Sequence, residues 1–228
     1  RMGRLGYQSD AQSALAVSYN SLDGYADSLH DALTRPYPAY ETIGLRDPDG
    51  GYRQLTTTLL QIENEFYSTI RPKRVIQRGE RPLHALRERG VEYVEVRLMD
   101  LDPFEPVGIQ ARTMRFLDVF LLHCLLSESP PDTAQEIAAL GRNQQVVAQR
   151  GREPGLRLER GERSVALADW AAELLADMLP IAQRLDQVQG DTLNAQAVAQ
   201  ASQALALPDG LPSARVLQTV QQEYAGAY

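Results

Sequence analysis

The sequence has little of the residue types that build disulfide frameworks, zinc centres and membrane anchors. Among its 228 residues the one cysteine is Cys124, so no disulfide forms within the chain and a cysteine-rich zinc site is excluded. The most apolar stretch, Phe116 to Leu126, is interrupted by Asp118 and His123 and is too short to cross a bilayer. We therefore predict a reducing, cytoplasmic compartment.

An excess of positive charge is also absent. The formal net charge is −7, whereas binding to nucleic acid or to an anionic membrane needs a broad basic surface. The sequence contains neither a Walker phosphate-binding loop nor a G-x-G-x-x-G dinucleotide motif. A small anionic ligand held by a few local arginines is the class of ligand that this composition still allows.

The chain has three histidines, and they are scattered along the sequence. His30 and His84 fall in polar helical segments, and we predict that they lie on helix surfaces. His123 and Cys124 fall in the most apolar segment, which favours core positions over roles as a metal ligand and a nucleophile. No metal or thiol chemistry is predicted from these residues.

Hydrophobic periodicity predicts an α+β fold with its strands in the first half and a mainly helical second half. Turn and proline signals bound the elements, and DPDGG at Asp47 to Gly51 predicts a hairpin turn that joins Ile43 to a strand-like region. The predicted strands are Gln12–Tyr19, the region Tyr52–Tyr67, and Val91–Leu98. The predicted helices are residues 22–35, Pro82–Arg89, Ala111–Leu126, a segment from SPPD through Val147, Asp169–Gln189, Asn194–Leu207, and the last residues of the chain.

Two charged segments carry the candidate chemistry. In a strand over Gln61–Tyr67, Glu63, Glu65 and Tyr67 would share one face. In Val91–Leu98, Glu95 and Arg97 would point the same way from a strand whose other face is mostly aliphatic. A carboxylate beside a guanidinium suits a site where a magnesium ion meets a phosphate. A solvated strand face with a cross-strand ion pair is the alternative that this pattern leaves open.

A cluster of cations follows the first of these segments. Arg71, Lys73 and Arg74 lie within four residues of one another, and Arg78 follows shortly after. A nuclear-localisation patch is a weak interpretation in an acidic protein. A positioned anion site and a set of structural salt bridges are the two interpretations that remain.

Four long stretches carry a resemblance that is more specific than any of these short patterns. They are LQIENEFYSTIRPKR (Leu60–Arg74), GVEYVEVRLMDLDPFEPVGI (Gly90–Ile109), RFLDVFLLHCLL (Arg115–Leu126) and GREPGL (Gly151–Leu156), in that order. Together they resemble the gamma-proteobacterial type of glutamate-cysteine ligase. The opening RMGRLGYQS is similar to an R-M-x-x-x-G-Y segment of that family, although Gly3 and Arg4 replace its more usual serine and acidic residue.

The resemblance implies a fold and an activity. The implied fold is part of a curved antiparallel sheet like that of glutamine synthetase, in a catalytic portion over residues 1–128, followed by a helical portion over residues 129–228. The implied reaction uses ATP and Mg²⁺ to join the γ-carboxylate of glutamate to the amino group of cysteine through a γ-glutamyl phosphate, the first step of glutathione biosynthesis. No nucleic-acid or membrane partner is implied, and a monomer is expected for the full enzyme.

The resemblance also implies roles at matching positions. Glu95 is expected to bind magnesium, and Arg97 to contact the transferring phosphoryl group. The expected amino-acid pocket includes Arg1, Tyr7 and Tyr67, with Arg1 paired to a substrate carboxylate and thereby taking part in catalysis. The candidates for contact with the nucleotide are Asn64, Glu63 and Glu65, of which some are expected only to orient their neighbours.

The same resemblance places this chain in the C-terminal half of the family. The other acidic magnesium ligands are then expected in a segment that precedes Arg1, and the chain alone is expected to have little or no activity. Two alternatives stay open at this point. One is a non-catalytic, nucleotide-binding remnant of the enzyme, and the other is a sister ligase that joins glutamate to a different amine.

Overall fold

The computed structural model describes residues 10–13, 15–224 and 226. The helices among them are α1 (Asp10–Ser13), α2 (Leu22–Thr34), α3 (Pro38–Ile43), α4 (Pro82–Arg89), α5 (Ala111–Leu126), α6 (Ala134–Arg150), α7 (Leu167–Gln189), α8 (Leu193–Ala206) and α9 (Pro212–Glu223), with short 3-10 turns at Glu63–Glu65 and Pro208–Gly210. The strands are β1 (Ile70–Lys73), β2 (Tyr93–Val96), β3 (Arg157–Arg160) and β4 (Arg163–Ala166). The described chain is therefore a mixture of many helices and two small antiparallel sheets.

The chain divides into two compact units. The first contains residues 1–99 and 129–145, and the second contains residues 100–128 and 146–228. The sequence predicted a catalytic portion that ends at residue 128 and a helical portion that begins at residue 129. Compact units do not show which part is catalytic, so this division stays a prediction. No helix in the described part of the chain is long and apolar enough to cross a membrane.

The first unit is built around α2. Ser21 caps this helix, since its hydroxyl accepts a hydrogen bond from the Gly24 amide at 3.0 Å. The apolar face of α2 then buries Tyr25, Ala26, Leu29 and Ala32. Other buried members of this core are Leu59, Leu60, Phe66, Leu83 and Leu86. The packing of α2 against the loop before β1 and against α4 fixes the base from which β1 extends.

The second unit is a helical cluster formed by α5, α7 and α8. Its core buries Val119, Leu175, Met178, Ala182 and Val198, and the rings of Phe116 and Phe120 pack beside it in parallel with centroids 6.3 Å apart. The β3–β4 hairpin precedes α7 and turns at Gly161, whose φ of +60° favours glycine. This hairpin was not predicted from the sequence, because three of the four residues of β3 are charged and β4 has Val165 as its one large apolar residue.

The helix predictions agree well with this structure, but two strand predictions are wrong. In the segment 12–19, predicted as a strand, residues 12 and 13 end α1 and residues 15–19 are irregular. The region Tyr52–Tyr67 has two isolated bridges, Arg46 with Tyr52 and Pro36 with Thr58, instead of a continuous strand. Leu59 and Leu60 are adjacent and both buried, at 4% and 0% exposure, which a strand with one buried face does not permit.

The turn predicted at DPDGG is confirmed, although the hairpin around it is reduced to a single bridge. Gly50 has a φ of +87°, and the Gly51 amide donates to Asp47 Oδ1 at 2.7 Å. In α5, by contrast, the predicted core positions of His123 and Cys124 are wrong, since His123 is half-buried and Cys124 is exposed. The surface positions predicted for His30 and His84 are confirmed.

Asp186 ties α7 to the start of α8, and its replacement by asparagine is expected to lower the stability of the second unit. Its Oδ1 accepts from the Asn194 amide at 2.9 Å, and its Oδ2 accepts from the Ala195 amide at 2.9 Å. Burial alone would raise the pKa of Asp186, but these hydrogen bonds outweigh it and hold the pKa below its usual value of 3.8. The carboxylate therefore stabilises the fold above pH 3.8, and this contribution is lost as the pH falls through the lower pKa of the folded state.

Thermal unfolding followed by circular dichroism checks this prediction. At pH 7 the Tm of Asp186→Asn should lie several degrees below that of the parent chain. The difference should shrink as the pH falls below 4, because the parent then loses the charge that the variant already lacks. Asp177 is an exposed acidic residue of the same helix, so Asp177→Asn serves as the matched control and should leave the Tm nearly unchanged. A Tm difference that stays constant with pH would contradict the stabilising role given to the ionised Asp186 carboxylate at the start of α8.

Candidate active site on the paired strands β1 and β2

The antiparallel pairing of β1 with β2 separates charged from apolar side chains. Arg71 lies opposite Glu95, and Lys73 lies opposite Tyr93. Because side chains alternate along a strand, one face of the pair carries the polar residues Arg71, Lys73, Tyr93, Glu95 and Arg97, which we call the polar face. The opposite face carries Ile70, Pro72, Val94 and Val96. The polar face thus combines one carboxylate with three cations.

Glu95 lies between two of these cations. Its Oε1 is 3.2 Å from Arg97 Nε, and its Oε2 is 3.5 Å from Lys73 Nζ. Glu95 and Arg97 therefore do point the same way, as their spacing predicted. Desolvation raises the pKa of Glu95, but Arg97 and Lys73 outweigh it and hold the pKa below its usual value, so the carboxyl group is ionised at neutral pH.

Arg71 is a buried cation on the same polar face, opposite Glu95. The residue is 7% exposed, and its Nη2 donates to the Asn64 carbonyl oxygen at 3.3 Å. Its Nε has no hydrogen-bond partner among the described residues. Burial, and then the nearby charge of Arg97, lower the pKa of the guanidinium from its usual value. A desolvated cation with an unfilled donor favours the approach of an anion.

Aromatic side chains flank the cations. The guanidinium of Arg97 lies over the ring of Tyr67, 5.4 Å from its centroid. Tyr19 donates from its hydroxyl to the Ile70 carbonyl oxygen at 3.2 Å, and its ring packs against Tyr25 with centroids 5.4 Å apart. Burial, with a smaller contribution from Tyr19, raises the pKa of Tyr25 to about 12. These rings hold β1 in place and limit the orientations of Arg97.

The segment Gln61–Tyr67 is not a strand, so the predicted shared face of Glu63, Glu65 and Tyr67 is wrong. Residues Glu63–Glu65 form a 3-10 turn instead. Glu63 Oε2 accepts from the Leu83 amide at the start of α4 at 2.8 Å, and Glu65 Oε2 accepts from the Gln61 amide at 2.7 Å. Carboxylates readily accept hydrogen bonds from backbone N–H groups that have no other partner. The two glutamates therefore fit this turn as well as they would fit a strand face. Asn64 is exposed at the centre of the turn.

The cations after this turn separate into two groups. Arg71 and Lys73 belong to the polar face, whereas Arg74 donates from Nη1 to the Gly90 carbonyl oxygen at 3.3 Å, and Arg78 is exposed. Lys73 and Arg71 were weaker candidates in the sequence than Arg97. The signal that could have found them is the two-residue spacing of R-P-K, which places both on the side of the sheet that carries Glu95.

One feature of Glu95 bears on the expected magnesium site. Its Oε2 is enclosed and has no hydrogen-bond partner within the described part of the chain, although Lys73 is at ion-pair distance. Such an oxygen suits a hard cation. No group of three or more acidic, histidine or cysteine side chains that could hold a metal occurs among the described residues. Arg1 and Tyr7, predicted for the amino-acid pocket, lie outside the described residues.

Comparison with known proteins adds a family to this geometry. The glutamate-cysteine ligase family model matches residues 1–147, which is more than half of the 228 residues. The chain belongs to the glutamate-cysteine ligase family. The glutamate-cysteine ligases of Alcanivorax borkumensis and of a Janthinobacterium species are 46% and 50% identical to it, over 100% and 97% of this chain.

A solved glutamate-cysteine ligase from Francisella tularensis, in complex with AMP, superposes with a TM-score of 0.87 at 38% identity over 97% of this chain. A bifunctional glutathione synthetase from Pasteurella multocida gives a TM-score of 0.62 at 23% identity, which indicates a similar fold. The chain covers 44% of the Alcanivorax and Francisella ligases. It therefore spans less than half of the length of the relatives that it matches.

Proposed function

We propose that the chain provides the phosphoryl-binding part of a glutamate-cysteine ligase, which uses ATP to join the glutamate γ-carboxylate to the amino group of cysteine. The observation that carries this function is the polar face, where Glu95 lies within 3.5 Å of Lys73 and 3.2 Å of Arg97 and opposite buried Arg71. The AMP bound to the Francisella relative supports a nucleotide as the ligand. The product would be γ-glutamylcysteine, the first intermediate of glutathione biosynthesis.

The reaction needs an activated carboxyl group, because a free carboxylate is a poor electrophile. In the first step a γ-carboxylate oxygen of glutamate attacks the γ-phosphorus of ATP, and the bond from that phosphorus to ADP breaks. In the second step the cysteine amine attacks the acyl carbon of γ-glutamyl phosphate, phosphate leaves, and the nitrogen loses a proton. Negative charge spreads over the transferring phosphoryl group, so cations fixed in advance lower the barrier.

The residues of the polar face divide this work among them. Arg97 presents a planar guanidinium to the phosphoryl oxygens and is oriented by the ring of Tyr67. Lys73 adds a second positive charge at the same place, and Glu95 is the carboxylate that would hold magnesium. The bound Mg²⁺ would neutralise phosphate charge and hold the phosphates in line. Arg1 and Tyr7 complete the proposed amino-acid pocket, with Arg1 paired to a substrate carboxylate.

Of the three nucleotide candidates in the 3-10 turn, Asn64 is the one that we propose for direct contact. Its side chain is exposed, whereas Glu63 and Glu65 each use one oxygen to accept from a backbone amide. We propose that these two carboxylates chiefly orient the turn. An Asn64→Ala variant would then weaken ATP binding more than Glu65→Gln does.

The β1–β2 pair is proposed to belong to a larger curved antiparallel sheet. A two-stranded sheet is marginally stable by itself, and the apolar face of this one leaves Val94 44% exposed. Further strands of the enzyme would cover that face and its edges. An exposed free thiol at Cys124 is compatible with a reducing, cytoplasmic compartment, which we propose for the protein. We also propose that the enzyme works as a monomer.

Phosphate release from ATP tests the proposed function. The chain, and a form extended to the length of the curated relatives, should be assayed with Mg²⁺, glutamate and each of several amines. We expect release that requires both glutamate and cysteine, is strongest in the extended form, and is abolished by Glu95→Gln. Release with another amine but not with cysteine would identify a sister ligase. ATP binding without amino-acid-dependent release in either form would identify a nucleotide-binding remnant and overturn the proposal.

A further inference from the structure

The side chain of Gln12 makes two hydrogen bonds to the backbone beside Tyr67, although the two residues are 55 positions apart in the sequence. Its Nε2 donates to the Glu65 carbonyl oxygen at 2.9 Å, and its Oε1 accepts from the Tyr67 amide at 3.0 Å. Both distances are typical of N–H···O hydrogen bonds. One side-chain amide therefore holds the carbonyl group and the N–H group that flank Phe66.

A neutral amide is the side-chain group that fits these two partners. The Glu65 carbonyl oxygen needs a donor and the Tyr67 amide needs an acceptor, and glutamine supplies one of each from the same planar group. A carboxylate would place an oxygen against the carbonyl oxygen, and an aliphatic side chain would make neither bond. Both bonds are partly buried, so water would replace them only in part.

The core of the first unit anchors both sides of this contact. Ala11, which precedes Gln12 in α1, is 3% exposed, and Phe66 is 7% exposed in the same core. Phe66 is extended, with φ −62° and ψ 119°, and consecutive side chains of an extended chain point to opposite sides. With Phe66 in the core, the ring of Tyr67 points away from it and lies 5.4 Å from the Arg97 guanidinium. Gln12 thus fixes the backbone from which this ring extends.

We infer that Gln12 is a positioning residue, which holds Tyr67 in place and thereby orients the Arg97 guanidinium for the transferring phosphoryl group. This inference rests on the proposed function and extends it to a residue outside the polar face. A small misplacement of a group that stabilises the transition state costs up to about 10²-fold in rate. Gln12 also follows Tyr7 closely in the sequence, so its bonds connect that segment to Tyr67, the other tyrosine of the proposed amino-acid pocket.

Steady-state kinetics on the form extended to the length of the relatives tests the inference. Gln12→Leu removes both hydrogen bonds and should lower kcat by about 10–10²-fold. The KM for ATP should change less than about threefold, because Arg97 is proposed to act in the transition state.

Gln54→Leu is the matched control in the same unit. Gln54 donates from Nε2 to the Tyr40 and Gly44 carbonyl oxygens at 2.7 and 3.0 Å. The same substitution therefore removes a similar pair of bonds from a loop that does not carry Tyr67. It should leave kcat within about threefold of the parent value. Equal losses of kcat in Gln12→Leu and Gln54→Leu would overturn the inference and leave the proposed function standing.

Gln12→Glu gives a second readout, which a loss of folding would not produce. A protonated carboxyl group supplies one donor and one acceptor, as the amide does, whereas the ionised group only accepts. Partial burial beside a carbonyl oxygen should raise the pKa of the introduced carboxyl group above about 4.3. The kcat of Gln12→Glu relative to the parent should therefore rise roughly twofold or more as the pH falls from about 8 to about 6, while the relative kcat of Gln12→Leu stays constant.

A relative kcat of Gln12→Glu that does not change with pH would overturn the role given to the two hydrogen bonds. Failure of the extended parent form to ligate glutamate to cysteine at any pH would instead overturn the proposed function, on which the inference rests.

Discussion

Replacement of Arg97 by lysine is expected to lower kcat for the proposed ATP-dependent ligation by about 10²–10³-fold, the range measured when one preorganised donor to a developing negative charge is removed. Lysine keeps the positive charge but loses the planar fork that would contact two phosphoryl oxygens at once. It also loses the stacked position over Tyr67, where the guanidinium lies 5.4 Å from the ring centroid. The effect should therefore exceed that of a simple change in charge.

The distribution of this loss between kcat and KM is the informative part. An interaction that forms only in the transition state lowers kcat and kcat/KM equally, whereas uniform binding raises KM and leaves kcat unchanged. We expect the first pattern for Arg97→Lys with ATP as the varied substrate. Steady-state kinetics on the form extended to the length of the relatives provides the measurement.

Arg74→Lys is the control for this prediction. Arg74 lies in the same basic cluster, but it donates to the Gly90 carbonyl oxygen at 3.3 Å instead of contributing to the polar face. Its replacement should change kcat less than about threefold, because this half-buried residue lies outside the polar face. Equal losses in the two variants would mean that the cluster acts through its net charge, and that Arg97 has no special position.

Replacement of Leu60 by alanine is expected to destabilise the first unit by about 2–5 kcal/mol, because it leaves a cavity in a closed core. Leu60 is 0% exposed and belongs to the cluster formed with α2 and α4. Because total stabilities of single domains are about 5–15 kcal/mol, this loss would remove a large share of the unit's stability. The same core supports β1, so the polar face should become mobile as well.

Amide hydrogen exchange along α2 measures this loss in the first unit alone. The exchange rates of the core-facing half of α2 should rise by the factor that corresponds to the lost free energy. Leu55→Ala is the matched control, since Leu55 is 69% exposed a short distance earlier in the same loop. It should change the free energy of opening by less than about 0.5 kcal/mol. Comparable changes in both variants would contradict the packing described for Leu60.

Helices were predictable from this sequence because their signals are local. In α2 the apolar residues recur at helical spacing and Pro36 follows the helix, so the local sequence alone predicts where this helix lies. The positions of His123 and Cys124 were not predictable in this way. An apolar helix indicates burial somewhere, but which of its sides meets the core depends on partners that the segment itself does not specify.

The strand predictions failed where tertiary packing, instead of the two-residue alternation of a strand, decides which side chains are buried. Thr56, Thr57 and Thr58 are β-branched and suggest a strand, but Leu59 and Leu60 both enter the core and the chain continues into the 3-10 turn. In Tyr93–Val96 the alternation is real, because β2 pairs edge to edge with β1 and its side chains alternate between the two faces of the pair. The relation of Glu95 to Arg97 was therefore predictable from spacing alone.

The rest of the candidate site depends on register. Opposition of Arg71 to Glu95 follows from how β1 pairs with β2, and no local pattern sets that alignment. The same holds for Lys73, whose approach to Glu95 needs both strands. The roles proposed for Arg1, Tyr7, Tyr67 and Asn64 come from the family and from position, so they call for kinetic tests of their own.

The most direct test of the central claim follows a γ-carboxylate oxygen of glutamate. With glutamate labelled by ¹⁸O in that carboxylate, ATP and cysteine, an acyl phosphate on the polar face predicts that the released phosphate contains one ¹⁸O atom per molecule. The transfer should require Mg²⁺, and its rate should fall together with kcat in Arg97→Lys. Formation of γ-glutamylcysteine with unlabelled phosphate would contradict γ-glutamyl phosphate as the intermediate, and with it the role given to the polar face.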